Sequence, residues 1–223
     1  RSEQTKVTVQ PDLKQFALTP LLKSLELPDK VSGAISLTGN FAGEGLSVDD
    51  VKRHWQGRAD LTVKDAQFAG LNLQELVQRA VENNNNNVEG KRSDGQANLQ
   101  QITGSMALKN GAFTFSRLDA HSGTLNYTGQ GTIDVVNRAL DFRFGVTVTE
   151  GWMGDSTLIK RLQVTPVPLR IYGPWSGINY NLTVDQVLRG QLRDEARERL
   201  KKWIDRNPES DKNNDAKKVL KDL

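Results

Sequence analysis

From residue 111 to residue 148 apolar and polar side chains take turns, and this period of two most narrows what the chain can fold into. Phe113 and Phe115 share one parity, as do Leu125 and Tyr127, Ile133 and Val135, and Phe142, Phe144, Val146 and Val148. Thr114, Asn126, Thr132, Asp134, Asp141, Arg143 and Thr147 fall between them. Successive residues of a strand point to opposite sides of its sheet, so each run carries one apolar and one polar face. Turn-forming residues separate the runs at Lys109-Asn110-Gly111, His121-Ser122-Gly123, Gly129-Gln130-Gly131 and Val136-Asn137-Arg138. The pattern predicts a meander of antiparallel strands.

The same alternation returns at Ile35, Leu37 and Phe41, at Leu61 and Val63, at Ile102, Met106 and Leu108, at Val167, Leu169 and Ile171, and from Ile178 to Val184. The fold class read from it is mainly β, of α+β type. Helical spacing interrupts it at 12–25, where Pro20 should split the segment into two short turns, at 47–55 behind a Ser47 cap, and at 72–82. Asn83 to Asn87 and the polar residues up to 96 read as a flexible loop. From Asp185 the period changes to three and four, through Leu188, Leu192, Leu200 and Trp203, which predicts an amphipathic helix over 185–206. The domain plan is therefore a β domain over 1–184, that helix, and a loose charged tail over 207–223.

Charge and chemistry exclude more than they assign. Residues 1–185 hold 19 basic and 19 acidic side chains, and the whole excess of +3 sits in the remainder, with 11 against 8. A balanced body of mixed signs is not the clustered basic face that phosphate backbones need, so no nucleic-acid partner is expected. With no Cys there is no disulfide framework, thiolate zinc site or Cys nucleophile. The two histidines, His54 and His121, lack neighbouring ligands or carboxylates in useful spacing. Gly129-Gln130-Gly131 and Gly43-Glu44-Gly45 precede no helix that could hold a phosphate and read as turn glycines. Asp49 and Asp50 suit the first turn of a helix. No catalytic residue, metal ligand or cofactor is expected. No apolar run reaches the ~18 residues of a membrane-spanning helix, and a chain opening on Arg1 reads as a fragment.

What remains is an apolar sheet face. At about 32 Å² per inward residue the strands present roughly 800 Å², whereas the three short helices offer roughly 500 Å² of cover. The sheet can fold on itself, take the C-terminal helix as a cover, or leave part of its face open as a groove.

The segments VSGAISLTGNFAGEGLSVDDVKRHWQGRADLTVKDAQFAGLNLQELV (31–77), ITGSMALKNGAFTFSRLDAHSGTLNYTGQGTIDVVNRALDFRF (102–144) and VPLRIYGPWSGINYNLTVDQVLR (167–189) resemble, in that order, the C-terminal region of the AsmA family. One departure is Ala66, where the family usually has Gly, at a position read as a turn. The resemblance implies a curled β-sheet, or β-groove, lined with apolar side chains. It also implies anchoring in the inner membrane of a Gram-negative bacterium by a segment outside this chain, a periplasmic location, and non-enzymatic carriage of phospholipid toward the outer membrane. The lining candidates are Met106, Leu108, Phe113, Phe115, Leu125, Tyr127, Ile133, Val135, Phe142, Phe144 and Val146, with Leu188, Leu192, Leu200 and Trp203 packing the C-terminal helix on the groove end. The competing reading is an interaction module whose edge strands dock upstream β-modules or an outer-membrane assembly partner without binding lipid.

Overall fold

The computed structural model of the chain describes residues 5–69, 87–91, 96–122, 125–149, 160, 163–183, 186–208 and 212–222, giving the backbone alone for 87–91, 96–98, 186–188 and 192. Strands β1 (Lys6–Val9) and β2 (Asp12–Ala17) lead into helix α1 (Leu18–Ser24), strand β3 (Val31–Glu44), helix α2 (Val48–His54) and strand β4 (Trp55–Ala69). Strands β5 (Asn87–Lys91), β6 (Gln96–Lys109), β7 (Ala112–Ser122), β8 (Leu125–Asp134), β9 (Ala139–Val148), β10 (Val167–Pro174) and β11 (Asn179–Thr183) follow. Helices α3 (Gln186–Arg206) and α4 (Asn213–Asp222) complete the described elements.

All eleven strands belong to one antiparallel sheet, in the order β1-β3-β4-β6-β7-β8-β9-β10-β11-β5. Strand β2 also pairs with β3, along Ala34 to Thr38, while β1 pairs with Phe41 to Glu44. The two short strands thus make one edge, broken at Gln10-Pro11, where proline has no N–H to offer the ladder.

The far end of the sheet is rolled up, and register alone requires it. Followed from strand to strand through Asn179, Tyr172, Asp141, Thr132 and Thr114, Lys91 of β5 stands level with Ala107 of β6. On a flat sheet it would lie six strand spacings across and eleven residues along from Gln96, about 46 Å away. The five peptide steps from Lys91 to Gln96 reach at most about 18 Å. The sheet therefore curls with the stagger of a barrel. Leu99 of β6 shows the result, because it packs both on the cluster of Ile35, Val63 and Ala66 and on that of Tyr127, Leu169, Ile171 and Leu182. The roll does not close, since β5 has no strand partner on its outer side among the described residues.

Several local expectations are corrected. Residues 12–17 are strand, and only Leu18–Ser24 is helical. The spacing of three between Leu13 and Phe16 imitates a helix but comes from a β-bulge, with Gln15 at φ 54°. Pro20 does not split the helix; it sits in the first turn, where a missing N–H costs no bond. Gly129 and Gly131 are not turn glycines but lie inside β8, and Gly43 lies inside β3. Ala66 is not in a turn either: it lies in β4, just past a bulge at Asp65, and is 1% exposed. The tail over 207–223 contains helix α4, which folds back on α3. Asn213 is buried between them and its Nδ2 donates to the carbonyls of Ile204 (3.2 Å) and Asn207 (3.0 Å). Part of the loop expected near 83–96 is strand β5, and the helix expected over 72–82 lies outside the described residues.

Helix α2 forms as expected. Ser47 Oγ accepts from the Asp50 N–H at 3.0 Å, while the Asp50 carboxylate accepts from the Ser47 N–H at 3.2 Å. The Ser47 hydroxyl, which also donates to the Asp50 carboxylate at 2.7 Å, and the Ser47 N–H hold the Asp50 carboxyl below its ordinary range.

An apolar sheet face as the candidate functional site

Residues directly opposite on paired strands share a face, so the register assembles the site without further assumption. One row runs Ile35, Val63, Ile102, Ala120, Tyr127, Val146, Val167. The next runs Leu37, Leu61, Gly104, Leu118, Gly129, Phe144, Leu169, Leu182. The third runs Ala59, Met106, Phe115, Gly131, Phe142, Ile171, Tyr180, and the fourth Gly57, Leu108, Phe113, Ile133, Leu140. None of these four rows contains a charged side chain. The opposite face carries Arg58, Asp60, Arg117, Asp119, Asp141, Arg143 and Arg170.

Nine of the eleven expected lining residues stand in these rows; Leu125, paired with Val148, extends the same face. Val135 is the exception, lying past the end of β8 in the turn to β9, where it is buried. Sequence alternation missed Leu118 and Ala120 because their parity is opposite to that of Phe113 and Phe115. A bulge in β7 between Phe115 and Leu118 adds one residue and returns the apolar side chains to the same face.

The face has three zones. Over β3 and β4 it is covered by helix α1, whose Leu18, Leu21 and Leu22 pack on Ile35 and Val63. Over β8 to β11 it is filled from within by Tyr127, Val148, Leu169, Ile171, Tyr180 and Leu182, all buried. Beside that cluster Phe113, Phe115 and Ile133 of β7 and β8 are half-buried, as are Phe142 and Phe144 of β9, which pack against it. The rings there form a platform: Phe115 and Phe142 have centroids 5.7 Å apart, Phe142 and Phe144 stack at 6.2 Å with 7° between planes, and Tyr127 meets Phe144 edge-on at 6.5 Å. Glycine makes the arrangement possible. A Cβ on Gly131 would collide with the Phe142 ring, and one on Gly129 would come 2.7 Å from Phe144 Cδ1.

Burial pushes the Tyr127 phenol up to about 12, with a hydrogen bond to Ser122 acting the other way. A free phenol titrates near 10, so the stability tied to the neutral ring is complete below about pH 10 and lost as pH rises through about 12, some 2–3 kcal/mol in all. An alkaline absorbance titration should show a tyrosine ionising near pH 12, and Tyr127→Phe should remove that step. A curve that Tyr127→Phe leaves unchanged above about pH 11 would place the Tyr127 phenol in water.

Polar features lie elsewhere. On the opposite face Arg170 grips Asp141 through Nε (3.0 Å) and Nη2 (2.8 Å) and covers the Tyr172 ring at 4.0 Å, which holds the Asp141 carboxyl below its ordinary range. A cavity of about 870 Å³ also opens on that side, among Asp12, Asn40, Arg58, Asp60, Ser105 and Thr114. His54 ends α2 beside the start of β4 and His121 lies in β7, both exposed; His121 is level with Lys64, far along β4 from His54. Of the residues expected to pack the C-terminal helix, Leu200 and Trp203 are half-buried, and the side chains of Leu188 and Leu192 lie outside the described residues. Helix α3 packs chiefly on α4.

A family model of the AsmA family matches residues 1–118. The chain is 36% identical over 219 residues to Protein AsmA of Escherichia coli, an alignment that takes in 98% of this chain. The chain belongs to the AsmA family. It spans 36% of that relative's length. No solved structure matches it. For this AsmA-family chain the family model ends inside β7, while the likeness to the Escherichia coli relative takes in nearly the whole chain. Among the described residues no helix is long and apolar enough to cross a membrane.

Proposed function

We propose that this part of the chain holds the acyl chains of phospholipid on its apolar sheet face and hands them on by burial and release, without covalent chemistry. The observation that carries the reading is the half-buried aromatic platform of Phe113, Phe115, Phe142 and Phe144 within four rows free of charge. Each methylene withdrawn from water contributes about 0.8 kcal/mol. A chain moving from bilayer to groove therefore exchanges one apolar setting for another, and headgroups stay in water at the groove mouth. Membership of the AsmA family supports a role in outer-membrane assembly or lipid transport. In this reading the protein works in the Gram-negative envelope, on the periplasmic side of an inner membrane to which a segment outside this chain anchors it, and carries phospholipid toward the outer membrane.

Native mass spectrometry of the chain purified from bacteria, followed by lipid extraction, tests it. About one phospholipid per chain is the expected result. An apo mass that stays unchanged after incubation with phospholipid vesicles would sink the proposal. It would favour the second reading, an interaction module, for which the observation is the exposed edge: Val9 is 42% and Phe16 54% exposed beside the free side of β1 and β2.

A further inference from the structure

The rolled end of the sheet finishes on β5, whose residues have little preference for a strand. Of Asn87-Val88-Glu89-Gly90-Lys91 only valine favours a strand, whereas Asn, Gly, Glu and Lys are depleted there. The strand pairs on one side alone, with the five residues of β11 from Asn179 to Thr183. Yet those five pairings finish the roll, because β5 leads within five peptide steps into β6, six strand spacings away around the sheet. Behind the seam lies a fully buried part of the apolar face, around Leu169, Tyr180 and Leu182. A chain bound on the open platform can extend into that zone only if the roll loosens.

We propose that β5 is a displaceable closing strand: it peels from β11 to admit an acyl chain to the rolled end of the groove and re-pairs to retain it. The inference rests on the acyl-chain reading above. Opening at β5 gives up one short ladder and leaves the ladders of β6 to β10 intact, so it is the lowest-cost way to widen the interior.

Two measurements test it. Amide hydrogen exchange on the unmodified protein should show β5 and its β11 partners exchanging about a hundredfold faster than β8 and β9. Protection in β5 equal to that of β8 overturns the proposal whatever the lipid does. The second measurement uses Glu89→Cys with Asn181→Cys, directly opposite in the register of a chain that has no other cysteine. Opposed Cα atoms about 4.5–5.5 Å apart fall within the range of about 4.4–6.8 Å that a disulfide spans, so the pair can oxidise across the seam. Uptake of a fluorescent-tailed phosphatidylethanolamine from phosphatidylethanolamine–phosphatidylglycerol vesicles should slow at least about tenfold on oxidation and recover with reductant. Equal uptake in the two forms overturns the latch while leaving the groove standing. No uptake by the oxidised, reduced or parent protein, with β5 exchanging fast, overturns the acyl-chain reading itself and the latch with it.

Discussion

Replacing Phe142 and Phe144 together by Asp should strip the protein of phospholipid, lowering the amount recovered per chain at least about tenfold. The two rings are adjacent in the third and second strand-to-strand rows of the platform and are stacked on each other, so the change places two carboxylates at the centre of the surface that would touch an acyl chain. Both positions are half-buried, which leaves an Asp there partly hydrated and the sheet able to form. Arg143 provides the control. It lies between the two phenylalanines in sequence, exposed on the opposite face, and Arg143→Asp should keep lipid at the parent level. Lipid extraction with far-ultraviolet circular dichroism reads both outcomes. A folded double variant that retains its lipid would remove these rings from the lining.

The largest stability effect should come from Leu169→Ala. Leu169 is 1% exposed, paired with Phe144 on one side and Leu182 on the other, and packed among Tyr127, Ile171 and Tyr180. Truncating a leucine so enclosed removes its transfer energy and leaves a cavity, together about 3–4 kcal/mol. Urea unfolding should show the loss as a lower midpoint with little change in slope. Val9→Ala, on a residue 42% exposed at the sheet edge, should cost under about 0.5 kcal/mol. Equal effects at the two positions would mean that the rolled end is not a core.

The meander from β6 to β9 was legible because most of its inward residues alternate and its Asn110-Gly111 turn has the residues that φ of 52° and 74° require. Bulges defeated the same logic elsewhere. One extra residue at Gln15 turned a strand into apparent helix, and another between Phe115 and Leu118 hid the inward parity of Leu118 and Ala120. Gly129 and Gly131 read as turn signals because nothing local reveals that a phenyl ring from the next strand occupies the space above each. The roll was illegible for a stronger reason. It depends on which strand β5 chooses, and the partner, β11, is almost ninety residues further along the chain. Most of the candidate face could be read from the alternation; its division into covered, half-buried and filled zones could not, since that division is made by contacts distant in sequence.

The rings seated over Gly129 and Gly131 have one more consequence, for how the apolar face could be reshaped. Any side chain added at Gly131 would meet the Phe142 ring, and one at Gly129 would meet Phe144. Phe142 touches Phe115 and Phe144, and Phe144 touches Tyr127, so displacing one ring obliges its neighbours to repack. Two residues with no side chain thus set the height of the whole aromatic cluster above the backbone, and a methyl group added beneath it would alter the surface without replacing a single ring.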